Sequence, residues 1–261
     1  MLKRLQRRAR VAVSAIQIER RHRGAAQESR PVFVDVGSAG GTGYRWRRVI
    51  DKGLVTAFAV DPQADYSARP WTGATQIKAA LGERDETVSL WDTNFPQCSS
   101  VLEPNVDVLR DYACAELFRV VGRSEIMLRR ADGLWQEKGL PPPTLVKADV
   151  QGFELEVLKG FGHLLEGVEA IELESHFRKL YVGQALFSDV ATYLDLRGFA
   201  LRHLQPQSPF GGELVEANTF WVRRDQRGLL QTPAVRLWED LNSLPPRFEY
   251  RYDDWRGLLS G

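Results

Sequence analysis

A glycine-rich turn is the first feature of the sequence that could bind a ligand. It follows the apolar run Val32–Val36 and contains four glycines between residues 37 and 43. Glycine lets the backbone approach a ligand closely, and the start of the following helix presents free N–H groups and the positive end of its dipole. Such a turn can bind a phosphate, a dinucleotide or the carboxylate of an amino-acid-like cofactor. The alternative is a tight turn of an α/β protein without a ligand.

The spacing of these glycines discriminates between the ligands. A Walker loop needs a Gly-Lys-Ser/Thr sequence, and the turn contains no lysine. The dinucleotide pattern fails because Ala39 and Trp46 occupy glycine positions. The remaining pattern, Asp-x-Gly-x-x-x-Gly, suits S-adenosylmethionine (SAM). Four residues of the turn are therefore candidates for binding this cofactor: Asp35, Gly37, Ser38 and Gly41.

An aspartate at the end of the second predicted strand is a further candidate. Asp61 lies one helix and one strand after Asp35, where a carboxylate can accept two hydrogen bonds from ribose hydroxyls. The alternative is that Asp61-Pro62 only forms a turn. Leu81, at the end of the third strand predicted over residues 77–81, completes the residues expected to contact the cofactor.

Ionisable side chains alternate along two later strands. Successive side chains of a strand point to opposite faces, so Lys147 and Asp149 share a face, and Glu172 and Glu174 share a face of the next strand. Ionised groups in a covered parallel sheet are costly unless they are paired. One interpretation is an ion pair between Lys147 and either glutamate, which would fix the strand register. The other places Asp149 and Glu174 at the carboxyl edge of the sheet, where ligands bind in open α/β folds. The two interpretations are compatible.

The residues around Asp149 resemble the hallmark of the FkbM family of methyltransferases. Residues 146–160 read Val-Lys-Ala-Asp-Val-Gln-Gly-Phe-Glu-Leu-Glu-Val-Leu-Lys-Gly, which is similar to the family's Lys-x-Asp-Val-(Glu/Gln)-Gly-x-Glu stretch followed by Val-Leu-x-Gly. The resemblance covers residues 31–225 and includes residues 33–41, 98–104, 171–174 and Gly198-Phe199. The chain departs from the family at Ser38-Ala39, where Ala-Asn is frequent, and at Asp61-Pro62, where Glu-Pro is frequent.

The resemblance implies a class I methyltransferase fold that uses SAM, usually to methylate a hydroxyl of a small molecule or glycan. Alignment of the acceptor oxygen with the methyl group supplies much of such catalysis, and a nearby base assists by taking the hydroxyl proton. Asp149 is the first candidate for that base or for positioning the hydroxyl, followed by Glu174 and His176. His176 could instead be a surface histidine after a strand. An Asp149–Glu174 pair could also hold a divalent cation, although we assign no metal ligand from the sequence.

The elements that position these residues alternate between short apolar runs and amphipathic stretches, which is typical of repeated βα units. We therefore predict a single doubly wound, mostly parallel sheet with one antiparallel strand. Residues 87–91 alternate cleanly and indicate an inserted antiparallel strand or hairpin. The predicted organisation is a basic N-terminal helix or arm at residues 1–30, a methyltransferase domain at 31–225 and a C-terminal extension at 226–261 that packs on the domain.

Composition limits the other classes of function. The 261 residues include 35 basic and 34 acidic side chains, but residues 1–30 alone hold nine Lys and Arg against two Glu. This arm is either solvated or contacts an anionic membrane surface or partner. The two cysteines show no metal-ligand spacing and favour a reducing compartment, and no apolar run suggests a signal peptide or a membrane span. We therefore expect a cytoplasmic protein.

Two other functions remain open from the sequence. A silent domain could bind the cofactor without turnover, although the joint presence of Asp35, Gly37, Asp61 and Asp149 argues against this. An RNA methyltransferase could use the basic arm to grip phosphates. Against it, the strand before Asp149 lacks the Asn-Pro-Pro-aromatic sequence used for exocyclic amines, and the rest of the chain offers no broad basic surface. A nicotinamide oxidoreductase is disfavoured by the broken glycine pattern.

Overall fold

The computed structural model describes residues 17–18, 20–24, 30–38, 44–63, 73–207 and 210–242. Gly41, most of the basic N-terminal arm and the end of the predicted C-terminal extension lie outside the described residues. Within the described part of the chain, no helix combines the length and apolar character needed to cross a membrane.

The described chain alternates strands and helices. The strands are β1 (Val32–Val36), β2 (Thr56–Val60), β3 (Ala74–Ile77), β4 (Ala80–Leu81), β5 (Glu86–Thr93), β6 (Val120–Arg129), β7 (Leu145–Ala148), β8 (Ala170–His176), β9 (Phe199–Pro206), β10 (Glu216–Asp225) and β11 (Gly228–Leu229). The α-helices from residue 44 onward are α1 (Tyr44–Asp51), α2 (Val106–Leu109), α3 (Ala131–Glu137), α4 (Glu154–Gly160), α5 (Phe187–Asp195) and α6 (Pro233–Asn242). Short 3-10 helices cover Pro96–Cys98, Ala115–Phe118 and Gly162–Gly167.

The main sheet has the strand order β11-β10-β8-β7-β1-β2-β3, and β9 also pairs with β10. The five adjacent strands β8, β7, β1, β2 and β3 pair in parallel, whereas β10 is antiparallel to β8, β9 and β11. The sheet is therefore mostly parallel with β10 as its antiparallel strand, which confirms the fold class predicted from the sequence. The carboxyl ends of β1, β2 and β7 lie together at one edge.

A second, three-stranded sheet with the order β4-β6-β5 is an addition to the single sheet that was predicted. Residues 87–91 do form part of an antiparallel strand, β5, whose partner is β6. The third strand predicted over residues 77–81 is corrected by this sheet, because β3 ends at Ile77 and Leu81 pairs with Arg129 of β6. The sequence did not indicate β6 because most of its side chains are exposed or only half-buried, which weakens the apolar pattern.

The main sheet is covered on both faces by apolar side chains. Val34 of β1 belongs to one core cluster, together with Trp135 and Phe161. Phe33, its neighbour in the chain, belongs to the other cluster and stacks on Trp46 of α1 with ring centroids 3.8 Å apart. Because alternate residues of a central strand face opposite cores, all of β1 is buried and its sequence is nearly continuously apolar.

The C-terminal helix α6 packs on the face that also holds α1. Trp238 is buried there against Phe220 of β10, with ring centroids 5.7 Å apart. Residues of the basic N-terminal segment reach the same layer, since Ile18 is buried in this cluster and His22 Nε2 lies 2.8 Å from Asp240 of α6. This end of the basic segment is therefore packed against the protein rather than wholly solvated.

Candidate active site

Most of the site residues predicted from the sequence lie at the carboxyl edge of the main sheet. Asp35 lies in β1, Gly37 and Ser38 directly follow this strand, and Asp61 follows β2. Asp149 follows β7, and the other two catalytic candidates, Glu174 and His176, lie at the end of β8. The structure thus brings the end of β1 beside Asp149 and Glu174. Gly41 cannot be placed because it lies outside the described residues.

Gly37 allows β1 and β7 to approach each other closely. Its φ is +80°, and an added Cβ would lie 1.9 Å from the backbone oxygen of Asp149. The residue before it, Val36, accepts a hydrogen bond of 3.0 Å from the Asp149 backbone N–H. Strand packing therefore already requires a glycine at this position, and its contact with the cofactor stays a prediction.

Lys147 lies between two aspartates rather than against the glutamates expected from the sequence. Its Nζ is 3.5 Å from Asp35 Oδ1 and 3.4 Å from Asp149 Oδ2. The expected ion pair is wrong for Glu172, which instead accepts a 3.0 Å hydrogen bond from the Trp46 indole and pairs with α1. Burial by itself would lower the pKa of Lys147, but the surrounding carboxylates outweigh it and raise this pKa well above its ordinary value. Lys147 is therefore a fixed positive charge.

The turn after β7 has a left-handed backbone that the buried Glu154 stabilises. Gln151 and Gly152 have φ values of 56° and 93°. Glu154 Oε1 accepts hydrogen bonds from the backbone N–H groups of Val150, at 2.9 Å, and Gly152, at 3.2 Å. The motif glutamate thus holds the turn that presents Gln151. Burial raises the pKa of the Glu154 carboxyl to about 8.

This raised pKa predicts a pH-dependent stability that Glu154→Gln removes. The folded chain holds the Glu154 proton up to a pKa of about 8, whereas the unfolded chain releases it near the ordinary glutamate pKa of 4.5. Raising the pH through this window therefore favours unfolding of the wild type. We expect E154Q, whose amide oxygen can accept the same hydrogen bonds, to gain roughly 2–4 kcal/mol relative to the wild type between pH 5 and 8.

Urea unfolding at a series of pH values measures this difference. Glu156→Gln is the matched control, because Glu156 lies on the same helix but is partly exposed and pairs with Lys159 at 3.5 Å. A stability difference between E154Q and the wild type that stays constant with pH would contradict the prediction.

Gln151 connects the carboxylates of two neighbouring strands. Its Nε2 donates to Asp149 Oδ1 at 3.1 Å and to Glu174 Oε2 at 2.7 Å. Its Oε1 lies 2.9 Å from the hydroxyl of Tyr181, which is also 2.9 Å from the backbone oxygen of Cys98. Burial raises the pKa of Tyr181, so its hydroxyl keeps the single proton that it can donate to one of these two acceptors. Gln151 and Tyr181 are functional candidates that the sequence reasoning missed.

His176 is buried within the sheet and is not the surface histidine that the sequence left open. Its side chain is 1% exposed, and its Nε2 lies 3.9 Å from Glu174 Oε2 and 3.7 Å from Glu216 Oε2. Glu216 is opposite His176 in the β8–β10 register. Burial lowers the pKa of His176 to about 4, so the imidazole is neutral near pH 7. Burial and the nearby Asp149 raise the pKa values of Glu174 and Glu216.

The remaining cofactor candidates lie near the ends of β1, β2 and β4. Asp61 is buried, and its Oδ1 accepts a 2.8 Å hydrogen bond from the backbone N–H of Gln63. Ser38 is also buried, and Leu81 packs in the core cluster that contains Val36. Carboxylates at these ends are the acceptors that the ribose hydroxyls and the ammonium group of SAM require, so the residues present fit this cofactor.

The comparison with models of protein families agrees with the sequence motifs. The model of the family described as "Methyltransferase FkbM domain" matches residues 35–201. Among solved structures, the chain is similar to the LepI complex with SAM, with 9% identity, a TM-score of 0.41 and coverage of 75% of this chain and 43% of that one. It therefore spans less than half the length of LepI.

A second similar structure is magnesium protoporphyrin IX methyltransferase (ChlM) from Synechocystis PCC 6803 with bound SAM. The identity is 11%, the TM-score 0.36, and the coverage 84% of this chain and 81% of that one. The search of curated proteins finds no match. Because the family model covers more than half of the sequence, the chain belongs to the FkbM family of SAM-dependent methyltransferases.

Proposed function

We propose that this chain transfers the methyl group of SAM to a hydroxyl group of a small molecule or glycan. The observation that carries the proposal is the exposure of Asp149 within an otherwise buried group of carboxylates. The Asp149 side chain is 33% exposed, whereas those of Asp35 and Glu174 are 1% and 9% exposed. Asp149 is thus the member of this group that an acceptor hydroxyl can reach.

Two neighbours support a role for Asp149 as the base. Gln151 donates to one of its carboxylate oxygens and Lys147 faces the other. This arrangement fixes the orientation of the carboxylate, and correct orientation of the reacting groups can supply much of the rate enhancement of such a transfer. As the acceptor oxygen forms its bond to the methyl carbon, the hydroxyl proton moves to Asp149. Glu174 then acts by holding Gln151, and His176 does not contact the acceptor.

SAM supplies a methyl group on a positively charged sulfur, which leaves as a neutral thioether. We propose that Asp61 holds the ribose hydroxyls through its carboxylate, as acidic residues at the end of a second strand do in other nucleotide-binding sheets. The remaining residues proposed to contact the cofactor are Asp35, Gly37, Ser38, Gly41 and Leu81. The free, buried Cys98 and Cys114 support the cytoplasm as the proposed location.

Incubation of the full chain with deuterium-labelled SAM and a cell extract tests the function. We expect labelled products whose methyl group is on oxygen, identified by mass shift and fragmentation. An extract whose hydroxyls have been acetylated is the matched control and should give no labelled product.

Each other outcome favours a different function. SAM binding without any product across extracts and a panel of hydroxyl compounds would support the silent binding domain. Label found on RNA would support an RNA methyltransferase whose basic arm binds the phosphates. Label found only on nitrogen or carbon would contradict O-methylation.

A further inference from the structure

The end of β8 and the start of β10 carry three groups that could act as metal ligands. Glu174 and His176 belong to β8, and Glu216 belongs to β10. One ligand atom from each lies within 4.8 Å of the other two. The antiparallel register places Glu216 opposite His176, so the backbone holds the group together.

The histidine of this group lacks a hydrogen-bond partner. Within the described part of the chain, neither ring nitrogen of His176 has one, and its side chain is only 1% exposed. The carboxylate oxygens nearest to Nε2, at 3.7 and 3.9 Å, are beyond the 2.7–3.2 Å of an N–H···O hydrogen bond. A buried polar group without a partner is costly, so its presence in a native fold needs an explanation.

We propose that Glu174, His176 and Glu216 bind a divalent transition-metal cation. A cation between the three groups would give His176 Nε2 a partner and would offset the cost of burying two glutamates side by side. Ligand atoms at about 2.0–2.2 Å from a metal lie roughly 3.0–3.6 Å apart. The distances from His176 to the two glutamates therefore need to shorten by only a few tenths of an ångström.

The chemistry of the ligands selects the ion. An imidazole with two carboxylates suits Zn²⁺ or Mn²⁺, whereas Ca²⁺ and Mg²⁺ prefer ligand sets made of oxygen alone. Gln151 donates to Glu174 Oε2 at 2.7 Å, and such a hydrogen bond to a metal-binding carboxylate fixes its orientation toward the ion. The ring of Tyr181 stands perpendicular to that of His176, with centroids 6.4 Å apart, and helps to fix the plane of the imidazole.

The site lies next to the proposed base, because Gln151 hydrogen-bonds to both Glu174 and Asp149. A cation there would be connected to the proposed base through Gln151, and its positive charge would lower the pKa of a hydroxyl held at Asp149. This role rests on the proposed function, whereas the metal site itself does not. Metal binding is therefore tested without an acceptor.

Metal binding is measured on the full chain after treatment with a chelator. We expect calorimetry with Zn²⁺ and electron paramagnetic resonance with Mn²⁺ to show one site per chain. Glu216→Gln should weaken binding of either ion by more than about tenfold. Glu213→Gln is the matched control, since Glu213 is exposed and pairs with Arg178, and it should bind like the wild type. The absence of binding to the wild type, or equal affinities of E216Q and E213Q, would overturn the proposal.

A spectroscopic signature tests the role of the histidine independently. Electron spin-echo measurements on the Mn²⁺-loaded wild type should show coupling to an imidazole nitrogen, and His176→Asn should abolish it. His163→Asn, at an exposed histidine, should retain it. SAM binding and circular dichroism establish whether H176N is folded. If it is not folded, the proposal is tested by the nitrogen coupling in the wild type and by the metal affinity of E216Q. Mn²⁺ bound to the wild type without nitrogen coupling would overturn the assignment of His176.

Discussion

Replacing Asp149 with asparagine should lower kcat by about 10²–10⁴-fold, the usual contribution of a general base, while the Kd for SAM stays near the wild-type value. The amide cannot take the hydroxyl proton, yet it has the same size as the carboxylate, and its oxygen can still accept the 3.1 Å hydrogen bond from Gln151. The loss is therefore expected in turnover rather than in cofactor binding. The measurement combines steady-state kinetics on an acceptor found by the labelling experiment with calorimetric titration of SAM.

A control variant shows whether removing one negative charge from the protein is by itself enough to lower kcat. Asp107→Asn makes the same chemical change at a side chain of α2 that is 86% exposed, and it should leave kcat unchanged. Because D149N also removes a carboxylate that lies 3.4 Å from Lys147, thermal unfolding must accompany the kinetics. A folded D149N protein with full activity would show that the base lies elsewhere or is not needed.

The main sheet was predictable because its strands have a strong sequence pattern. β1 is buried on both faces, so its apolar residues are nearly continuous, and the glycine turn that follows is equally visible. The small sheet was only partly predictable. In β6, apolar residues such as Val121 and Met127 are exposed, so apolar and polar residues do not alternate with burial as they do in a typical half-buried strand. The local sequence also does not reveal which strand pairs with β5.

The partners of the charged residues were less predictable than their positions. The alternation of side chains along β7 and β8 shows which ionisable groups share a face of a strand. It does not show which residue of a neighbouring strand or helix each group pairs with. Lys147 pairs with Asp35 and Asp149, while Glu172 pairs with Arg45 of α1. The choice depends on which helix covers each face, and this information is absent from a strand's own sequence.

The residues that sequence reasoning missed are far apart in the chain. Glu216 meets His176 only through the register of β10 against β8. Tyr181 reaches Gln151 from the segment after β8. Gln151 itself had a local signal, since it stands next to Gly152 in the motif and is the only described residue other than glycine with a positive φ. A non-glycine residue in this conformation is uncommon and often marks a functional site.

Replacing Asp61 with alanine should weaken SAM binding by more than tenfold. If the carboxylate accepts hydrogen bonds from both ribose hydroxyls, its removal leaves two buried donors unpaired, at a cost of about 1–3 kcal/mol each. Calorimetric titration of SAM measures the change in Kd.

A second role of Asp61 requires two further variants. Its Oδ1 also accepts a hydrogen bond from the Gln63 backbone, so D61A could loosen the turn after β2. Asp61→Asn keeps an oxygen for that bond but lacks the second acceptor for the ribose, so it too should lose affinity. Asp225→Ala removes the same kind of bond, 2.7 Å to the Arg227 backbone, at an exposed position, and should bind SAM normally. Unchanged affinity in D61A would remove Asp61 from the cofactor site, and a loss in D61A without a loss in D61N would assign it to the turn alone.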